Sequence, residues 1–201
     1  MLPKEKKFRL PSIRRSDFYL LPNLITLTRV AAVPLVAGCA YLKWNWAAAA
    51  LFALAGLSDY ADGYVARKYN YESRLGMLLD PLADKLVIVS TMIMLLWLGR
   101  LDLVWFGKTS DILPPTLVIV TVGREIAITG LRGIASSMGM ILPAERGGKF
   151  KTWIQFFAII FLLLDFQPWR SLGEVLIVIS VLAALWSGLQ YIFRFVSRLP
   201  T

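Results

Sequence analysis

The sequence lacks histidine altogether and contains a single cysteine, Cys39. One cysteine excludes an intrachain disulfide, and without histidine a site for a hard metal ion must be built from carboxylates. Charged residues are also scarce, because they make up 17% of the 201 residues, whereas hydrophobic residues make up 57%. This composition argues against an ordinary soluble domain and indicates an integral membrane protein.

Six apolar stretches recur along the chain, and we interpret them as six membrane helices, some of them extended by polar turns. They lie near residues 23–42, 46–57, 86–98, 112–123, 153–164 and 172–193. Little chain remains for a separate soluble domain. The prediction is therefore an all-α integral membrane protein, with a six-helix transmembrane domain over residues 22–201 that follows an N-terminal segment over residues 1–21.

The net charge of +9 is distributed in the way that membrane topology predicts. With six crossings, fourteen of the 22 Lys and Arg residues lie on the side of the two termini and four lie on the opposite side. The positive-inside rule then places both termini in the cytoplasm, with the chain in the cytoplasmic membrane. We attribute the excess of Lys and Arg over Asp and Glu to this orientation in the membrane, and we expect no nucleic acid as partner.

Residues 1–21 are basic, with aromatic and aliphatic residues between the charges. This pattern favours a short interfacial helix that lies on anionic headgroups, and a disordered basic tail is the alternative. The residues up to Cys39 also resemble a lipoprotein signal with its cleavage cysteine. Another apolar span follows Cys39 after a very short turn, however, whereas a lipoprotein would continue into a soluble domain.

The second and third helices are each apolar over only part of their length, and both continue into acidic sequence. Neither apolar run reaches the roughly 20 residues that a crossing needs, so each helix must complete its crossing with its charged half. A short polar link over residues 69–74 joins the two helices. Both charged halves therefore lie at the same, cytoplasmic side of the membrane.

Four aspartates occupy these charged halves, as two pairs with helical spacing. Asp59 and Asp62 are three residues apart, and Asp80 and Asp84 are four apart, so each pair projects from one face of its helix. Two such faces opposed make a cup of four carboxylates. Oxygen ligands of this kind suit one or two Mg²⁺ or Mn²⁺ ions, with coordination positions left for phosphate oxygens.

Small and basic residues accompany the aspartates. Gly63 and Gly76 remove side chains where a ligand would approach the backbone, Ala66 keeps the same face shallow, and Arg67 can pair with a phosphate or a carboxylate. The alternative for each aspartate is a structural ion pair with a neighbouring Arg or Lys inside the membrane.

The whole stretch resembles the signature of the CDP-alcohol phosphatidyltransferase family, D-x2-D-G-x2-A-R-x8-G-x3-D-x3-D. The resemblance implies that Asp59, Asp62, Asp80 and Asp84 surround two Mg²⁺ or Mn²⁺ ions and that Asp84 is also the general base. It implies a pocket for the cytidine diphosphate of CDP-diacylglycerol, the release of CMP, and a homodimer. The residues assigned to that pocket are Asp62, Gly63, Ala66, Arg67 and Gly76.

Further basic residues point to a phosphorylated acceptor alcohol. Arg124 and Arg132 are eight residues apart, about 12 Å along a helix, and a buried arginine needs an anion. That anion is either Glu125 and the acidic cup or a phosphomonoester. The resemblance of the stretches that flank the aspartates to one branch of the family implies glycerol 3-phosphate as this phosphomonoester. The residues predicted to hold its phosphate are Arg29, Arg124, Arg132, Lys149 and Lys151. Asn23 and Thr26 are predicted either to bind the nucleotide or to cap the first helix.

Two other functions are compatible with parts of this pattern. A relative of the same family could use another acceptor, such as phosphatidylglycerol, inositol phosphate or serine. A divalent-cation transporter could line its path with carboxylates, but its acids should be spread over the whole depth of the bilayer. Here all four aspartates cluster at one end of their helices, which favours the enzyme.

Overall fold

We analysed the fold in a computed structural model. The backbone is described for residues 21–69, 74–103, 111–138, 140 and 148–198, and the side chains for residues 26–58, 82–83, 85–103, 111–138, 140 and 152–198. Over these residues the chain forms six helices and no strand, which confirms the predicted all-α class. The helices are α1 (Leu21–Tyr41), α2 (Asn45–Tyr69), α3 (Arg74–Trp97), α4 (Leu113–Ser137), α5 (Gly148–Leu164) and α6 (Trp169–Val196).

The helices extend beyond the apolar stretches in the way that the sequence predicts. The acidic residues that follow the apolar run of α2 and precede that of α3 are helical themselves. Helix α4 begins with Pro114 and Pro115 in its first turn, where proline is tolerated because the first N–H groups have no partner within the helix. The predicted segment over residues 1–21 lies outside the described residues, apart from Leu21.

One helix in the described part of the chain is long and apolar enough to cross a membrane, and it is Trp169–Val196. Four shorter apolar helical segments accompany it, over Thr26–Tyr41, Asn45–Ser58, Lys85–Trp97 and Thr152–Leu164. Each overlaps one of the predicted apolar stretches. Six crossings and the orientation of the termini therefore stay predictions.

Helix α5 packs on α6, α2 and α3, while α1 packs on α2 and α3, and α4 packs on α3 and α6. Glycines permit the closest approaches. The ring of Phe156 lies directly over Gly56, and a Cβ atom on Gly173 would lie 3.0 Å from the backbone oxygen of Ala158. The core between these helices is aliphatic with few aromatic residues, and its most buried members include Ala40, Ala48, Phe52, Met92, Leu95, Ile159, Leu162, Leu163 and Ile177.

A buried arginine connects several helix ends on the side of the molecule opposite the aspartates. The guanidinium of Arg100, which follows α3, donates hydrogen bonds to the backbone oxygens of Leu163 at 2.9 Å and Ala40 at 3.1 Å. It also donates to Asn45 Oδ1 at 2.8 Å, and its Nε lies 3.3 Å from Asp165 Oδ2. Burial lowers the pKa of Arg100, and Asp165 opposes this effect. These bonds tie the ends of α1, α2 and α5 to the end of α3.

Candidate active site

The predicted catalytic aspartates belong to two helices that pack against each other. Asp59 and Asp62 lie on α2, and Asp80 and Asp84 lie on α3. Their spacing along helical backbone puts each pair on one helix face. The side chains of all four lie outside the described residues, so the carboxylate cup stays a prediction.

A metal site here depends on these four aspartates. Within the side chains that the structure does describe, no group of three or more His, Cys, Asp or Glu residues could hold a metal ion. The donor set that two acidic helices offer consists of carboxylate oxygens alone, in a chain without histidine. This chemistry fits Mg²⁺ or Mn²⁺, which prefer oxygen ligands.

Lys85 connects the acidic helix α3 to α4, immediately beyond Asp84. Its Nζ donates a hydrogen bond to Thr129 Oγ1 and lies 3.7 Å from Glu125 Oε2. Thr129 in turn donates to the backbone oxygen of Glu125 at 2.7 Å. The lysine thus fixes the position of α4 relative to the residue predicted to be the general base.

Arg124 connects α4 to α6. Its Nε donates to the backbone oxygen of Ala184 at 3.2 Å, and its Nη2 donates to Ser187 Oγ at 3.1 Å. Its Nη1 pairs with the carboxylate of Glu125, and 11% of the arginine side chain is exposed. The structural alternative for this arginine, a pairing with Glu125, is therefore present. It does not use all the N–H groups of the guanidinium, however, because an arginine has five.

Arg132 lies two turns further along α4, on the exposed part of the helix. Its guanidinium carbon lies 5.5 Å from the ring centre of Tyr191 on α6, a cation–π contact. Lys85 and Arg124 share the one negative charge of Glu125 and together carry one net positive charge. With Arg132, this cluster carries two positive charges, which match a phosphomonoester that is close to a dianion at neutral pH.

The other predicted binding residues lie on four helices. On α1, the side chains of Thr26 and Arg29 are 1% and 2% exposed. Thr26 lies in the second turn of its helix, so it does not cap it. The remaining predicted residues are helical, with side chains outside the described part: Asn23 on α1, Gly63, Ala66 and Arg67 on α2, Gly76 on α3, and Lys149 and Lys151 on α5.

Three residues at this end of the molecule had no predicted role in binding, namely Lys85, Ser187 and Tyr191. For Lys85, no simple sequence signal shows that α4 supplies its partners. Ser187 and Tyr191 carry a weak signal. Together with Ala184 and Gly188 they recur along α6 at the spacing of a single helix face.

The similarity to known proteins extends over most of the chain. Residues 19–186 match the sequence profile of the CDP-alcohol phosphatidyltransferases. The chain belongs to the CDP-alcohol phosphatidyltransferase family. The matched residues include the four aspartates and both α4 arginines, and the chain is therefore an enzyme of this phosphatidyltransferase class.

Similar proteins come from bacteria and from a plant. The chain is 33% identical to a CDP-diacylglycerol--glycerol-3-phosphate 3-phosphatidyltransferase of Bacillus subtilis, over 85% of this chain and 92% of that protein. It is 34% identical to the Pseudomonas fluorescens protein of the same name, over 86% of this chain and 88% of the relative. An Arabidopsis thaliana relative, CDP-diacylglycerol--glycerol-3-phosphate 3-phosphatidyltransferase 2, is 32% identical over 90% of this chain and 82% of its own length.

Proposed function

We propose that the chain is a phosphatidylglycerophosphate synthase. It transfers the phosphatidyl group of CDP-diacylglycerol to the 1-hydroxyl of sn-glycerol 3-phosphate, and CMP is released. The observation that carries the proposal is the shared name of the similar proteins, which specifies both substrates and which recurs in bacteria and a plant at 32–34% identity.

The α4 cluster supports a phosphorylated acceptor. Lys85, Arg124 and Arg132 carry two net positive charges after pairing with Glu125. A neutral acceptor such as serine supplies no dianion to balance them, whereas glycerol 3-phosphate does. The arginine fork suits phosphate oxygens because its N–H groups are planar and fixed. Lys149 and Lys151 at the start of α5, together with Arg29, complete the proposed set of cations.

The reaction is a direct displacement at phosphorus. Asp84 accepts the proton of the acceptor's 1-hydroxyl, and the oxygen forms a bond to the phosphorus nearer the diacylglycerol. The bond from that phosphorus to the oxygen of the CMP phosphate breaks, and phosphatidylglycerol phosphate stays in the membrane. Arg67 stabilises the charge that moves to the leaving phosphate. No covalent enzyme intermediate is needed.

Asp59, Asp62, Asp80 and Asp84 would hold two Mg²⁺ or Mn²⁺ ions, and Gly63, Ala66 and Gly76 would line the nucleotide pocket with Asn23 and Thr26. Divalent ions bound there supply electrostatic stabilisation of the pyrophosphate charge. Asp80 and Asp84 lie in the N-terminal half of α3.

The proposed setting is the cytoplasmic membrane, with six crossings, both termini in the cytoplasm and the site facing the cytoplasm. The apolar helix α6, the four shorter apolar segments and the distribution of Lys and Arg support this topology. A homodimer is part of the proposal because the family resemblance implies it. Cross-linking in vesicles that yields monomers alone would contradict the dimer.

The acceptor is tested by competition. The purified protein in vesicles receives CDP-diacylglycerol together with glycerol 3-phosphate, phosphatidylglycerol, inositol phosphate or serine, and mass spectrometry identifies the lipid product. We expect phosphatidylglycerol phosphate and an equal amount of CMP with glycerol 3-phosphate only. Turnover with a different acceptor and none with glycerol 3-phosphate would overturn the proposed function.

A further inference from the structure

The second half of α6 presents one continuous face to α4. Ala184, Ser187, Gly188 and Tyr191 lie at positions i, i+3, i+4 and i+7 of a helix, which share a face. Ser187, Gly188 and Tyr191 are buried. The α4 residues that meet this face are Arg124 and Arg132, with Ile128 between them. The two arginines that are predicted to bind the acceptor alcohol therefore both contact the same face of α6.

The contacts of this face with Arg124 restrict its guanidinium at two atoms. Ala184 accepts from Nε at 3.2 Å and Ser187 accepts from Nη2 at 3.1 Å. A planar fork held at two of its nitrogens has a defined orientation. Gly188 leaves room beside it, since a Cβ atom there would lie 3.6 Å from both Cγ and Nε of the arginine.

The contact with Arg132 is of a different kind. The ring of Tyr191 lies under the guanidinium at 5.5 Å. The tyrosine is 4% exposed, and its hydroxyl has no hydrogen-bond partner in the described part of the chain. A buried hydroxyl without a partner is unfavourable. The contact that the described residues show for Tyr191 is the one between its ring and the guanidinium of Arg132.

We infer that Ser187 and Tyr191 are positioning residues of the acceptor site, which orient Arg124 and Arg132 toward one phosphate group. The inference rests on the proposed function, because it takes glycerol 3-phosphate as the acceptor. It does not rest on the family match, which ends at residue 186. Simple packing between α4 and α6 would require only apolar contact, whereas here a hydroxyl and an aromatic face each meet a cationic group.

The test measures steady-state kinetics in vesicles for Ser187→Ala and Tyr191→Leu. We expect the KM for glycerol 3-phosphate to rise about tenfold in Ser187→Ala and about three- to tenfold in Tyr191→Leu, because each loses one contact to a guanidinium. The KM for CDP-diacylglycerol and kcat should change less than twofold. Tyr191→Phe keeps the ring and should restore the wild-type KM.

A second readout uses inorganic phosphate as the probe. Inorganic phosphate should act as a competitive inhibitor that binds the same two arginines. Its inhibition constant should therefore rise in each variant by the same factor as the KM for glycerol 3-phosphate. Matched controls are Ser180→Ala, a buried α6 serine that donates to Ile177 O of its own helix, and Phe193→Leu, an α6 aromatic residue that is 71% exposed. Neither control should change either constant.

The outcomes separate the inference from the proposed function. A wild-type protein that does not use glycerol 3-phosphate overturns the function. A wild-type protein that uses it, with variants whose KM is unchanged or in which both substrates are affected equally, overturns the inference alone. An equal effect of Tyr191→Phe and Tyr191→Leu also contradicts it. Should Tyr191→Leu not fold, Ser187→Ala decides, because it removes a single oxygen from a packed position.

Discussion

Replacement of Arg124 by methionine removes a guanidinium that joins α4 to α6. Three of its five N–H groups bond within the described structure, to Ala184, Ser187 and Glu125, and two remain for a phosphate. Methionine retains most of the volume of the side chain but offers no donor. The change therefore removes the proposed phosphate contacts while the helix packing is largely retained.

The magnitude follows from those two remaining groups. A hydrogen bond to a charged group contributes about 1.5–3 kcal/mol, and about 1.4 kcal/mol corresponds to a tenfold change. We take one such bond as the net loss and add nothing for Glu125, because it retains Lys85 as a partner at 3.7 Å. The expected result is a decrease of about 10- to 100-fold in kcat/KM for glycerol 3-phosphate.

The assay is CMP release from CDP-diacylglycerol in vesicles at varied glycerol 3-phosphate, with the KM for CDP-diacylglycerol measured in parallel. Arg124→Lys should recover only part of the loss, because one ammonium group cannot contact Ala184, Ser187 and a phosphate with the geometry of a fork. Lys43→Met, which removes an exposed cation between α1 and α2, serves as the control. An unchanged kcat/KM in Arg124→Met, or an equal loss for both substrates, would refute this reasoning.

Three further predictions concern stability and metal. Arg100→Met should lower the free energy of unfolding by about 1–3 kcal/mol, because it leaves three acceptors without their donor, while Asp165 keeps Arg170 as a partner at 3.2 Å. Urea unfolding in detergent measures this change, and a value below about 0.5 kcal/mol would contradict it. Gly173→Ala should cost about 1–3 kcal/mol by overpacking against α5, whereas Gly130→Ala, with nothing within 4 Å of the added atom, should not destabilise. Removal of divalent cations with EDTA should abolish CMP release, Mg²⁺ or Mn²⁺ should restore it, and full activity in EDTA would exclude the metal.

The helices could be predicted from sequence because their signals are local. Six apolar runs indicated six helices, and a local signal also accompanies the start of α4, where Pro114 and Pro115 lie in the first turn. The extension of α2 and α3 into their acidic halves followed from a length argument, since the apolar runs alone are too short for a crossing. Each of these inferences needs only neighbouring residues and the dimensions of a bilayer.

The partners of individual side chains could not be predicted in this way, because they depend on how distant helices pack. Arg100 is 4% exposed, and its guanidinium bonds to the backbone of Leu163 and of Ala40, which lie 63 and 60 residues away along the chain. Ser187 and Tyr191 lie some 60 residues from the arginines that they contact. The spacing of Ser187 and Tyr191 along α6 shows that they share a helix face, but it does not show which helix packs on that face.

If the aspartates on α2 and α3 form the catalytic centre, replacement of the predicted general base in Asp84→Asn should abolish activity. CMP release from CDP-diacylglycerol is measured in reconstituted vesicles beside wild-type protein and Asp111→Asn, an exposed carboxylate between α3 and α4. We expect Asp84→Asn to fold like wild type and to release no CMP above background, while Asp111→Asn retains full activity. Turnover by Asp84→Asn at a rate close to that of wild type would exclude Asp84 from the catalytic centre.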